Sequence, residues 1–91
     1  MNGVAIVGCG VISPEYAYTL NQLGFVDLVA CADAVPERAA QLAEKHGIPR
    51  ALTFEQVLAD PEIETIVNLT PPLMHATVTR AALDAGKAAF S

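Results

Sequence analysis

The sequence predicts an α/β fold: a doubly wound parallel sheet of order 3-2-1-4-5, truncated after the fifth strand. Three observations carry this. Short apolar runs alternate with helical patterns along all 91 residues. A glycine-rich turn follows the first apolar run, and an acid ends the second. Right-handed crossovers between parallel strands then leave few other arrangements.

The elements follow in order. Val4-Ala5-Ile6-Val7 is a continuous apolar run ending at glycine, as expected of a strand covered on both faces. Ser13-Pro14-Glu15 reads as N-cap, first-turn proline and first-turn acid. That helix places Tyr16, Leu20 and Leu23 on one face and stops at Gly24. Phe25 to Ala32 reads as the second strand and ends at Asp33. Pro36 opens a helix with Ala39, Leu42 and Ala43 at helical spacing, closed by His46-Gly47. Ala51-Leu52-Thr53 is a short third strand, and Thr53 with Gln56 makes a capping box for a helix through Leu58. Thr65 to Leu69 is the fourth strand. The next helix follows Thr70-Pro71-Pro72, with Met74, Val78, Ala81, Ala82 and Ala85 on one face and Gly86 as its C′ residue. Lys87 to Phe90 begins a fifth strand that runs into Ser91, as if the chain belonged to a longer protein.

Composition narrows the function. Hydrophobic residues make up 53% and charged residues 16%, which excludes disorder. Ten acids against five bases give a net charge of −5, so nucleic acid and anionic membrane surfaces are disfavoured partners. No run of apolar residues is long enough to span a bilayer, and the start has no basic region or Ala-x-Ala site. Cys9 and Cys31 do not make a disulfide framework, and their spacing with His46 and His75 matches no metal site. A cytoplasmic protein with reduced thiols and no metal is expected.

The chemistry points to a dinucleotide. Gly8-Cys9-Gly10-Val11-Ile12-Ser13 lies between the first strand and first helix, where a Rossmann fingerprint belongs. Gly8 permits the tight turn, Gly10 lets the backbone approach a pyrophosphate, and the helix start supplies N–H donors. Ser13 replaces the third glycine and is small enough for close helix–strand packing. The alternative is a plain strand–helix turn. Asp33 stands roughly 20 residues further on, where the fingerprint has an acid for the ribose hydroxyls. Its charge disfavours a 2′-phosphate, so NAD is expected over NADP. Arg38 reads as a surface charge rather than a phosphate ligand. Thr70, Pro71 and Pro72 follow the fourth strand and border the same crevice, as a rigid wall or simply as a helix start. His75, in the first turn after them, reads on its own as a capping or packing residue.

Together these blocks resemble the Gfo/Idh/MocA family, the glucose–fructose oxidoreductase and inositol dehydrogenase group. The resemblance rests on Val4 to Ile12, Ala32-Asp33 with Pro36-Glu37-Arg38-Ala39, Leu69-Thr70-Pro71-Pro72 with His75, and Ala81 to Lys87. It implies the NAD(P)-binding domain, over residues 1–91, of a two-domain oxidoreductase acting on a sugar, cyclitol or related polyol by hydride transfer. It places Gly8, Gly10, Val11 and Ile12 around the pyrophosphate and Asp33 on the adenosine ribose. It places Thr70, Pro71 and Pro72 beside the nicotinamide half, with His75 close by.

The family's Glu-Lys-Pro motif, whose lysine lies at the active site, would begin where this chain ends, and the substrate domain lies beyond it. The chain alone is therefore expected to bind dinucleotide without catalysis and to self-associate through uncovered apolar surface. The competing function is a dinucleotide-sensing regulator of the same fold.

Overall fold

The computed structural model describes residues 2–91. Nine elements alternate: β1 (Asn2–Val7), α1 (Ser13–Gln22), β2 (Val26–Ala32), α2 (Pro36–His46), β3 (Arg50–Leu52), α3 (Phe54–Ala59), β4 (Thr65–Asn68), α4 (Pro72–Asp84) and β5 (Ala88–Phe90). The strands form one sheet of order β3-β2-β1-β4-β5, the order expected. Every pairing is parallel.

The sheet separates two apolar layers, because alternate strand residues face opposite sides. Val4 and Ile6 of β1 pack with Leu28 and Cys31 against Ala17 of α1 and Ala39 and Leu42 of α2. Ala5 and Val7 pack with Val29 and Ile66 against Val57 of α3 and Val78 and Ala82 of α4. The small alanines let the helices lie close to the sheet. A register shift between Val4 and Ala5 moves β1 one residue along β2, pairing Val4 with Leu28 but Ala5 with Ala30.

The terminators behave as the chain chemistry dictates. Gly47 and Gly86 take left-handed conformations where α2 and α4 end. The Thr53 hydroxyl accepts from the Gln56 amide at 3.1 Å, and the Gln56 side chain accepts from the Thr53 amide at 2.9 Å. The capping box therefore forms, a contribution of about 1 kcal/mol for the cap alone.

Three local expectations are corrected. Ile12, not Ser13, is the N-cap of α1, and Pro14 sits in its first turn. Ser13 is 1% exposed, and its hydroxyl donates to the Gly10 carbonyl at 2.7 Å. Facing the sheet, it fills the close-packing place of the absent third glycine. The inward face of α1 is Ser13 and Ala17 with Leu20 behind them, while Tyr16 is exposed. On α4 the buried residues are Val78 and Ala82, with Met74 and Ala85 exposed. Ser13 and Ala17 of α1 and Val78 and Ala82 of α4 meet the sheet, while Tyr16 and Met74 stay in solvent.

Two long-range contacts complete the frame. A methyl group at Gly3 would stand 1.9 Å from the Glu62 carbonyl oxygen, so β1 and the chain entering β4 pass too closely for any side chain. The buried Lys87 ammonium donates to the carbonyls of Asp60 at 2.8 Å and Ile63 at 2.6 Å, joining the chain before β5 to the chain before β4. Among the described residues no helix is long and apolar enough to cross a membrane.

Candidate functional site

Three segments meet at the carboxyl ends of the central strands. The first is the turn from Gly8 to Ile12, between β1 and α1. The turn at Gly8 needs φ = 101°, a left-handed value that disfavours any side chain. The neighbouring backbone also excludes one: a methyl group at Gly8 would lie 2.7–2.8 Å from Leu69 and Thr70 backbone atoms. The glycine turn and the loop after β4 are thus in direct contact.

The second segment is Asp33, which ends β2. Its Oδ1 accepts the Cys9 N–H at 2.8 Å, and its Oδ2 accepts the Val35 N–H at 2.9 Å. The Gly8 N–H donates to the Ala32 carbonyl at 2.8 Å. One carboxylate therefore ties the glycine turn to the start of α2. Each oxygen keeps a second lone pair, so Asp33 can accept further hydrogen bonds.

The third segment is the loop Leu69 to Pro71 leading into α4. Asn68 holds it in place: its side-chain oxygen accepts from the Thr70 N–H at 3.2 Å and from the Thr70 hydroxyl. Its amide donates to the His75 carbonyl and to the Thr79 hydroxyl, both at 2.9 Å.

Gly8, Gly10, Val11, Ile12, Asp33, Thr70, Pro71 and Pro72 therefore share one edge of the sheet. The turn faces solvent: Gly10, Ile12, Pro71 and Pro72 are exposed, Val11 is 97% exposed and Leu73 is 95% exposed. A methyl group at Gly10 would meet nothing within 4 Å, so that position is open space beside the helix start. Ile12 offers no side-chain acceptor as N-cap, and the Ser13 hydroxyl is turned back on the loop. The first turn of α1 thus lacks a side-chain partner for its N–H donors, which suits an anion.

His75 stands apart. It lines an open groove along α4 with Thr79, Arg80, Leu83, Asp84 and Ser91. Cys9 is buried and donates its S–H to the Ala32 carbonyl at 3.4 Å. Contact with the Cys31 thiol, reinforced by burial, pushes the Cys9 thiol far above the ordinary thiol range. It stays protonated and is a packing residue rather than a nucleophile.

Sequence reasoning missed Asn68. A polar residue closing an apolar strand was the available signal, but its four partners lie on a loop and a helix that only the fold brings to it.

The family model for the Gfo/Idh/MocA oxidoreductase family, NAD-binding Rossmann fold, matches residues 2–91. The chain belongs to this family. Inositol 2-dehydrogenase/D-chiro-inositol 3-dehydrogenase of Lactiplantibacillus plantarum is 33% identical over 91 residues, covering 96% of this chain and 26% of that protein. GenD2 from gentamicin A biosynthesis, solved in complex with NAD, superposes with a TM-score of 0.89 at 28% identity, covering 97% of this chain and 25% of that one. Biliverdin reductase from Synechocystis sp. PCC 6803, solved with biliverdin and NADP+, superposes with a TM-score of 0.85 at 26% identity, covering 96% and 28%. This Gfo/Idh/MocA chain thus spans about a quarter of the length of such relatives and corresponds to their NAD(P)-binding domain.

Proposed function

We propose that this domain binds NAD in preference to NADP, with the pyrophosphate on Gly8, Gly10, Val11 and Ile12 and the adenosine ribose on Asp33. Thr70, Pro71 and Pro72 flank the nicotinamide half, with His75 at its margin. The observation that carries this reading is the start of α1, without a side-chain cap and with open space at Gly10, standing beside a carboxylate with spare lone pairs. The helix N-terminus attracts the pyrophosphate. The carboxylate accepts the ribose hydroxyls, whereas a 2′-phosphate would bring negative charge against it.

The parent protein is read as an oxidoreductase for a sugar, cyclitol or related polyol, in keeping with the inositol dehydrogenase relative. A bound nicotinamide supplies the hydride chemistry. The residues of this chain bind and orient it, and none is assigned a catalytic role. Calorimetric titration of the 91-residue chain with NADH and NADPH tests the reading. NADH is expected to bind more tightly. Equal affinities would overturn the role of Asp33, and dehydrogenase turnover by this chain alone would overturn the binding-only assignment.

The domain is also expected to self-associate. β5 is an edge strand, and Phe90 on it is 65% exposed with Leu83 exposed nearby on α4. An uncovered strand edge with apolar side chains favours pairing with a second copy. Light scattering at rising concentration should give a dimer or larger species; a monomer throughout would exclude this.

A further inference from the structure

Asn68 is 1% exposed, yet its amide is saturated. Two N–H donors and two acceptor positions are all that an Asn side chain has, and all four are used within the protein. The partners are not scattered. On one side lies Thr70 at the head of the Thr-Pro-Pro loop, and on the other lie His75 and Thr79 in α4. Pro71 and Pro72 carry no N–H, so the loop has few donors with which to anchor itself.

The glycine turn packs against the Leu69–Thr70 backbone at Gly8 but has its own hydrogen bonds. These run to Asp33, Ala32 and its own Ser13, none of them bonded to Asn68. Two side chains on opposite sides of β1 therefore hold the two halves of the crevice. Asp33, after β2, clasps the turn, and Asn68, in β4, clasps the loop.

We propose that Asn68 is a positioning residue for the nicotinamide half of the dinucleotide, acting through Thr70 and independently of the Asp33 clasp. This rests on the proposed placement of the nicotinamide beside Thr70, Pro71 and Pro72. Asn68 touches no ligand. It sets where the loop wall stands against the glycine turn, and a loosened wall cannot hold the nicotinamide riboside. The adenosine and pyrophosphate contacts do not pass through it.

The test compares NAD+ with ADP, which lacks the nicotinamide riboside, by calorimetry on the whole chain. The unaltered chain should bind NAD+ more tightly than ADP. Asn68→Ala should lower NAD+ affinity about tenfold, the scale of one buried hydrogen-bonded group, and leave ADP affinity unchanged. Asp33→Ser should lower both ligands together. A merely structural Asn68 would change the two ligands in parallel or neither, and that result would overturn the inference. If Asn68→Ala does not fold, Thr79→Val removes one partner of the amide and should reproduce the selective loss on a smaller scale, with Thr79→Ser restoring it. Equal loss of both ligands in Thr79→Val would likewise overturn the inference. An unaltered chain that binds ADP and NAD+ equally would refute the loop's contribution while leaving the Asp33 site intact. A chain that binds neither would refute the dinucleotide site itself.

Discussion

Gly8→Ala is expected to cost about 3 kcal/mol or more of stability, a large share of the roughly 5–15 kcal/mol that holds a typical domain. Two effects add. The alanine must adopt φ = 101°, which an L side chain strongly resists. Its methyl group must also occupy space 2.7–2.8 Å from the backbone of Leu69 and Thr70, where no flexible side chain can give way. Relief would require β1 and β4 to separate at the very edge where the three candidate segments meet, so ADP binding should fail with stability. Urea unfolding should show a lower midpoint with an unchanged slope. Gly10→Ala is the matched control. Its methyl group enters open space and its φ is not left-handed. Stability should change by less than about 1 kcal/mol, while dinucleotide affinity falls because the methyl group stands where the pyrophosphate approaches. Similar destabilisation by both variants would show that crowding against the Leu69–Thr70 backbone is not what Gly8 avoids.

Asp33→Ser should lower NADH affinity by about one to two orders of magnitude, the range for losing charge-assisted hydrogen bonds of about 1.5–3 kcal/mol. NADPH affinity should fall much less, so the gap between the two cofactors narrows. The serine removes the negative charge facing a 2′-phosphate but keeps a short acceptor near the Cys9 N–H. Asp33→Asn separates the two duties of the residue. It keeps one oxygen to accept the Cys9 N–H while removing the charge, and it turns its NH2 toward the Val35 N–H, which loses its acceptor. A stability cost of about 1 kcal/mol for that bond, with the cofactor gap already narrowed, would assign selectivity to charge. Fluorescence titration with NADH and NADPH decides it, and a gap unchanged by both substitutions would exclude Asp33 from the ribose site.

The alternation of apolar runs and helical patterns gave the nine elements because both signals are local, and the right-handed crossover rule then gave the strand order. Glycine and proline punctuate the chain through their own backbone limits, and a capping box such as Thr53 and Gln56 closes within four residues. The glycine turn and Asp33 were legible for the same reason: a short motif and a fixed spacing stand for a known backbone path. Its position after the fourth strand put the loop from Thr70 to Pro72 at the same crevice, and the family resemblance added its place beside the nicotinamide half.

What lay beyond reach depends on contacts made across the fold. Apolar periodicity placed Val78 and Ala82 inward correctly, but it also placed Tyr16 and Met74 there. The crossing of each helix over the sheet leaves these last two exposed and turns Ser13 and Ala17 inward on α1. A helix with apolar residues on more than one side has no unique inner face until the distance to the sheet selects the small ones. Gly3, Lys87 and Asn68 looked ordinary because their partners are brought close only by the crossovers, Glu62 to Gly3, Asp60 and Ile63 to Lys87, Thr79 to Asn68. The residues of the crevice were written in local motifs. The clasps that hold them at working distance are long-range hydrogen bonds, whose donors and acceptors find each other only once the sheet has formed.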